Sequence, residues 1–262
     1  MITIVVVCEG PSEPLRLSAL ADRVFERDAP WFSEYEDRDD LRRYTGLQDG
    51  RAYLAWRDVK GLHRQWVRLD GFRRGLRSLG GDHVAARRAL LLVARVHNDD
   101  EPINGVIMFR DEDRPGTGRA EQLCAARDEL RDGQGEGVTH PWRQHVAVGV
   151  AVPKMEAWVL AGFVPEPGTD EPRQLREQRE RLGFSPNMRP HELWASDRAA
   201  SSKRSAKKVC GALCPSDERQ LACLTDTDFE VLCDRGRGAG LVDFVDDVNR
   251  ELSPLFGGRE AR

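Results

Sequence analysis

Residues 2–13 read Ile2-Thr3-Ile4-Val5-Val6-Val7-Cys8-Glu9-Gly10-Pro11-Ser12-Glu13. The run from Ile2 to Val7 is β-branched throughout and shows no polar alternation. That pattern predicts a strand buried on both faces, as in the middle of a parallel sheet. Gly10 and Pro11 then punctuate a turn. Leu15, Leu17, Leu20 and Val24 follow at roughly helical spacing. The chain therefore opens strand–turn–helix, with a carboxylate, Glu9, at the carboxyl end of the strand.

The same grammar recurs downstream. A helix is expected from Asp82 to Arg95. A second buried strand, Ile103 to Phe109, runs into Arg110-Asp111-Glu112-Asp113 and an amphipathic helix from Arg119 to Arg131. A third strand is expected from His145 to Val152, with a helix beginning near Met155. Strands alternating with helices predict an α/β fold, a mainly parallel sheet flanked by helices. Ligand sites in such sheets lie at the carboxyl ends of strands, where Glu9, Asp111 and Asp113 all fall. Residues 31–81 read as an insertion with short elements of its own inside a core spanning 1–160. Residues 161–262 read as a mainly helical C-terminal portion packed on that core, ending in a helix whose apolar face carries Leu241, Phe244, Val245, Val248 and Leu252.

The 262 residues carry 40 basic and 44 acidic side chains, a net charge of −4, with 40% hydrophobic residues. The hydrophobic fraction excludes a wholly disordered chain, and the charge excludes indiscriminate coating of nucleic acid. No apolar run reaches the roughly 18 residues of a membrane span. The N-terminus has no charged segment ahead of its apolar run. The expectation is a cytoplasmic protein, off the membrane, with its six cysteines reduced.

Carboxylates are the natural ligands of Mg²⁺, a hard cation that also seeks phosphate oxygens. In an extended segment residues i and i+2 point the same way, so Asp111 and Asp113 are expected to hold one metal together. Glu9, on a neighbouring strand, is expected to share it or to act as general acid/base. Gly10 would let a phosphate approach the backbone closely.

Val7-Cys8-Glu9-Gly10-Pro11-Ser12-Glu13 resembles the first signature of TOPRIM-fold proteins, a glutamate after a hydrophobic strand. Its Glu-Gly-x-x-Glu form is similar to that of OLD-family nucleases and of small stand-alone TOPRIM-like proteins from bacterial defence loci. Met108-Phe109-Arg110-Asp111-Glu112-Asp113 resembles the second signature, an Asp-x-Asp after a later strand. Met155-Glu156-Ala157-Trp158-Val159-Leu160-Ala161 is similar to a segment of the stand-alone group. The resemblance covers about residues 1–165. It implies a TOPRIM-like, Rossmann-like core and a Mg²⁺- or Mn²⁺-dependent endonuclease acting on DNA or RNA, the effector of an anti-phage system. Glu9, Asp111 and Asp113 map to the catalytic and metal-binding triad, with Glu13 and Glu156 as auxiliary metal carboxylates. A separate ATPase sensor subunit is the implied partner, since the chain has no Gly-x-x-x-x-Gly-Lys-Ser/Thr motif. Two departures stand out: Glu9 and Asp111 are 102 residues apart, and Cys8 replaces the usual aliphatic residue.

A nuclease also needs positive charge near its substrate. Residues 57–77 hold seven cations against two acids, and Arg198, Lys203, Arg204, Lys207 and Lys208 form a second cluster. Arg64, Arg68, Lys203, Arg204, Lys207 and Lys208 are the candidate phosphate contacts. Trp56 and Trp66 lie among the first group, where either would serve to stack on an unpaired base. Trp158 reads as core. Cys210, Cys214, Cys223 and Cys233 lack the paired short spacings of common zinc ribbons and read as buried thiols. Gly236 to Gly240 reads as the approach to a helix. Two rival functions remain at this stage: a non-catalytic TOPRIM-like regulatory or scaffold subunit, and a nucleotidyl or sugar-nucleotide transferase using the Asp-x-Asp.

Overall fold

The computed structural model describes residues 1–35, 38–66, 80–97, 102–132, 144–194 and 203–257. Its centre is a five-stranded sheet in which every pairing is parallel: β1 (Ile2–Cys8), β2 (Arg42–Thr45), β3 (Leu54–Ala55), β4 (Gly105–Asp111) and β5 (His145–Ala151). β1 is flanked on one side by β4, in the register Val5↔Val106 and Val7↔Met108. Its other side is shared by β2, against residues 2–5, and the short β3, against Val7 and Cys8. β5 follows β4, with Asp111 opposite Ala151.

The β-branched run of β1 is buried at every position. Burying one such side chain stabilises the fold by about 1.5–3 kcal/mol. The period of two divides these side chains between two cores. Ile4, Val6, Ile107 and Phe109 meet α1 (Glu13–Asp28), whose Leu17, Leu20, Val24 and Phe25 face the sheet. Val5, Val7, Val106 and Met108 meet the other layer. That layer consists of α2 (Trp56–Trp66), α3 (Gly81–Val96) and α4 (Arg119–Arg131). The result is a three-layer, Rossmann-like α/β sandwich.

The rest of the chain completes the first layer: α5 (Met155–Ala161), α6 (Glu171–Leu182), α7 (Ala206–Leu213), α8 (Asp217–Thr225), α9 (Phe229–Gly236) and α10 (Leu241–Glu251). Residues of α5 and α7 to α10 belong to the same apolar core as Ile4 and Phe109. Trp158 is fully buried, stacks on Phe244, and donates its indole N–H to the carbonyl of Ala239 at 2.6 Å. It is a core residue, as expected. Gly236 to Gly240 does lead into α10. Gly240 takes φ +78°, and a Cβ there would sit 2.3 Å from the carbonyl oxygen of Val150, so only glycine lets this turn rest on the strand.

The 31–81 stretch is more than an insertion with elements of its own. It supplies two strands to the central sheet and α2 to one of its layers. A polar latch docks β2 on α1. Arg42 donates to both carboxylate oxygens of Asp22 at 3.0 and 2.6 Å, and the Tyr44 hydroxyl donates to the same group at 2.7 Å. The two extended runs beside Arg42 and Leu54 are short, four and two residues; such lengths give little periodicity to read.

β5 is fastened along its outer side by Asp247 of α10. That carboxylate accepts the N–H of Val148 at 2.7 Å and pairs with Arg127 of α4 at 2.8 Å, both side chains being buried. Loss of Asp247 would leave Arg127 only the half-exposed Asp128, at 2.9 Å, as an ion-pair partner and the Val148 N–H without an acceptor; breaking a fully buried pair from one side costs about 3–5 kcal/mol, the upper bound here. Asp247→Ala should therefore lower the urea midpoint of unfolding by an amount corresponding to several kcal/mol. Gly240→Ala should cost at least about 1 kcal/mol through its positive φ, measured in the same titration.

Candidate functional site

The parallel register brings the proposed carboxylates to one edge of the sheet. Extending the β1–β4 pairing beyond Val7↔Met108 sets Glu9 beside Arg110, and the two form an ion pair at 3.2 Å. Asp111 is the last residue of β4 and Asp113 lies two further on. The backbone there still follows the neighbouring strand: Glu112 N–H donates to Ala151 at 2.8 Å and Asp113 N–H to Pro153 at 3.1 Å. The extended geometry expected through Asp113 does not hold, because Asp113 sits in the left-handed region at φ 55°. Aspartate tolerates that conformation better than most residues.

Alternation along β4 sends Arg110 and Asp111 to opposite faces. Arg110 lies over the Trp56 ring, 4.7 Å from its centroid, and pairs with Asp82 of α3 at 3.0 Å as well as with Glu9. Asp111 turns toward α5, where its Oδ1 accepts the N–H of Met155 at 2.9 Å. Arg119, at the start of α4, joins the two halves above the strand ends. It reaches Asp113 at 2.8 Å, Asp82 at 3.1 Å and Glu9 at 4.0 Å, and donates to the carbonyl of Asp111. Lys154, just before α5, closes the chain of charges: its Nζ lies 2.8 Å from Asp113 Oδ1 and 3.7 Å from Asp111 Oδ2.

Asp111 and Asp113 are neighbours with opposite electrostatics. Burial pushes the Asp111 carboxyl up to about 8, against the relief of the Met155 N–H, and the charges of Glu156, Glu13 and Glu9 add to the rise. Burial also acts on Asp113, but hydrogen bonds from Lys154 and Arg119 outweigh it and hold the group below its ordinary value. Glu13 is raised by burial, although its Oε2 accepts the N–H groups of Gly10, at 3.0 Å, and Glu9, at 2.7 Å. The Glu-Gly-x-x-Glu pattern thus has a local meaning, since the second glutamate ties down the turn that carries the first.

Of the five proposed metal carboxylates, those of Glu9 and Asp113 share Arg119, which also donates to the backbone carbonyl of Asp111, and Glu13 and Glu156 act on Asp111 through their charge. The donor set is all carboxylate oxygen and suits a hard divalent cation. Among the described residues, no three histidine, cysteine or acidic side chains stand together at ligating geometry. Arg110 pairs with Glu9, while Lys154 and Arg119 pair with Asp113.

The basic clusters are on the surface. Arg64, on α2, and Lys203, Arg204, Lys207 and Lys208, at the start of α7, are exposed. Arg204 also lies over the Phe184 ring at 5.7 Å. Arg68 and Arg198 lie outside the described residues. Trp56 is not available to stack on a base. It is buried, and its indole N–H donates to the carbonyl of Phe109 at 2.7 Å. Cys210, Cys214 and Cys223 are free, buried thiols, with Cys214 and Cys223 Sγ 3.6 Å apart.

The sequence did not single out Arg110, Arg119, Lys154 or Asp82. Their pairings cross up to 101 positions, and no local spacing marks them. The one available signal was Arg110 itself, a cation directly before an Asp-x-Asp at a strand end. Comparison with protein-family models, curated proteins and solved structures finds no significant match.

The Asp111 carboxyl gives this site a pH signature. Its proton is held more tightly in the folded chain than at the ordinary 3.8 of an unfolded one. The corresponding stability is complete below pH 3.8 and is lost as pH climbs toward about 8, because the unfolded chain binds fewer protons over that window. In EDTA, Asp111→Asn keeps an acceptor for Met155 and should flatten that loss. Urea unfolding at pH 5 and pH 8.5 should show a smaller drop for the variant than for the native chain.

Proposed function

We propose that this protein is a metal-dependent phosphodiesterase of the TOPRIM type, cutting DNA or RNA at the carboxyl edge of its sheet. The observation that carries the reading is Asp111. It is a buried carboxylate at a strand end, raised to about 8 and crowded by Glu9, Glu13 and Glu156. Carboxylates massed against their own repulsion at the expected ligand edge of a parallel sheet favour a functional site over a structural one. The sequence resemblance at Glu9, Asp111 and Asp113 supports the same reading. A defence role with a separate ATPase sensor belongs to that resemblance and is proposed with it.

Asp111 and Asp113 would hold Mg²⁺ or Mn²⁺, with Glu9 sharing it or standing as general acid/base. The ion would supply charge neutralisation on the phosphate and a water of lowered pKa. Glu9 suits proton transfer, because its side chain is about one-third exposed at 32% while Asp111 is at 10%. Arg119 and Lys154 place positive charge at the site. The exposed clusters at Arg64 and at Lys203 to Lys208 would track the backbone of a long substrate and make binding salt-dependent.

A second reading has its own observation. Glu9, Asp111 and Asp113 each lie within 4.0 Å of a cationic side chain, as a purely structural network would arrange them. That favours a non-catalytic module with the same fold. Cleavage assays with Mn²⁺ on single-stranded and duplex DNA and RNA separate the two. Native protein should cut at least one of these substrates, and EDTA should stop it. Glu9→Ala and Asp111→Ala should each lose about 10²-fold or more with circular dichroism unchanged. Full activity in both variants would remove the site, and metal-independent inertness of the native chain toward all four substrates would favour the second reading.

A further inference from the structure

Trp66 is the second tryptophan that the sequence places among basic residues, and the structure treats it unlike Trp56. We propose that Trp66, with Gln65 and Arg95, forms a subsite for an unpaired nucleotide, reached from the carboxyl edge of the sheet along a cationic track on α2 and α3. The choice of nucleic acid as ligand rests on the reading above, and what is added is a named base site and a preference for single strands.

The two ends of α2 have different surroundings. At its start Trp56 is buried, donates its indole N–H to Phe109 and lies under Arg110. At its end Trp66 is half-buried. It packs on the same apolar core as Leu47 and Val96. With these two, Gln65 and Arg95 it lines an open cleft of about 510 Å³, within the usual size of a small-ligand pocket. Among the described residues no group accepts the Trp66 indole N–H, which leaves it to solvent or to a ligand. The cleft lies toward the edge of the sheet opposite Glu9 and Asp111. An adjoining cleft shares Leu47 and Val96 and is lined also by Thr3, near the start of β1, and by Ile103, just before β4.

Cationic side chains join the two ends. Arg57, Lys60 and Arg64 recur at i, i+3 and i+7 on one face of α2, and all three are exposed. Arg57 has Asp58 at 4.0 Å. Lys60 and Arg64 have no acidic partner among the described residues. Across the helix pair, burial and then the charge of Arg64 hold the Arg88 guanidinium of α3 below its ordinary value. Arg95, seven residues beyond Arg88 on the same helix, is exposed and lines the cleft. Guanidinium groups set against one another favour an anion between them. At 1.5 Å per residue α2 is about 15 Å long, which gives the track room for a few nucleotides.

An unpaired nucleotide matches each part of the cleft. The indole offers a flat apolar face, and stacking of a base on it is tolerant of sequence. The Gln65 amide carries both a donor and an acceptor for a base edge. Arg95 supplies a guanidinium for the adjoining phosphate. In a duplex the base faces are already stacked on one another, so the subsite selects single strands.

The test is binding by the full chain in EDTA, where metal-dependent cutting does not intervene. Fluorescence anisotropy follows single strands of about 16 nucleotides, the upper end of single-strand site sizes, as DNA and as RNA. The duplex of the same sequence and an abasic single strand serve as controls. With at least one of the two backbones, the intact single strand should bind more tightly than either control. Trp66→Leu, which keeps apolar packing, should weaken single-strand binding about tenfold and leave duplex binding unchanged. Trp66→Phe, which keeps an aromatic face, should retain most of it, and circular dichroism checks that both variants fold. Arg95→Gln should lower the slope of log K against log salt by about 1. Intact and abasic strands bound equally by the native chain, or single-strand binding undiminished in Trp66→Leu, would overturn the subsite whatever the cleavage assays show. Binding through Trp66 by a chain that cuts none of its substrates would keep the subsite and overturn the phosphodiesterase reading.

Discussion

The pairing of β1 with β4 is the constraint on which everything else rests. It joins segments about a hundred residues apart, and because it is parallel it delivers both carboxyl ends to the same edge. An antiparallel pairing would send Glu9 and Asp111 to opposite ends of the sheet. Register matters as much as direction. With Val7 opposite Met108, Arg110 falls beside Glu9 and Asp111 falls toward α5. A slip of one residue would exchange the faces of Arg110 and Asp111, setting a guanidinium against the N–H of Met155 and a carboxylate over Trp56. Burial of Val5 and Val7 in one core and of Ile4 and Val6 in the other is what forbids the slip.

The site shows how two residues of one type, two positions apart, come to differ. Asp111 is enclosed and hears mostly other acids; Asp113 lies outside the strand among cations. The same desolvation acts on both, and the neighbours decide the sign. Proximity in sequence says nothing about that contrast. It follows from alternation in β4, from the left-handed turn at Asp113, and from the arrival of Lys154 and Arg119 on two separate elements.

The parts of the fold that were legible in the chain are those with long, uniform signals. β1, β4 and β5 announced themselves through unbroken apolar runs. α1 and α10 did so through their spacing, and Trp158 through its place in an apolar helix. β2 and β3 were not legible, since Arg42 to Thr45 is polar and held by Asp22 rather than by hydrophobic pattern. Trp56 misled because its neighbours are basic, while its own ring is buried under Arg110. At the site, the positions of Glu9 and Asp111 at strand ends were readable. Their counter-charges were not, since ion pairs between distant elements leave no trace in spacing.

One feature at the far side of the sheet bears on how the protein behaves in company. Among the described residues β5 is an outer strand, and a parallel edge offers its N–H and C=O groups to any passing chain. Here Asp247 takes the N–H of Val148, Arg127 lies 3.5 Å from the carbonyl oxygen of Val146, and Ala239 receives the N–H of Val152 at 3.0 Å. Three of the positions where another strand would zip on are already claimed by side chain and loop. The helix that completes the core, together with the loop at Ala239, thus also covers the backbone groups through which a further strand would join the sheet on that side.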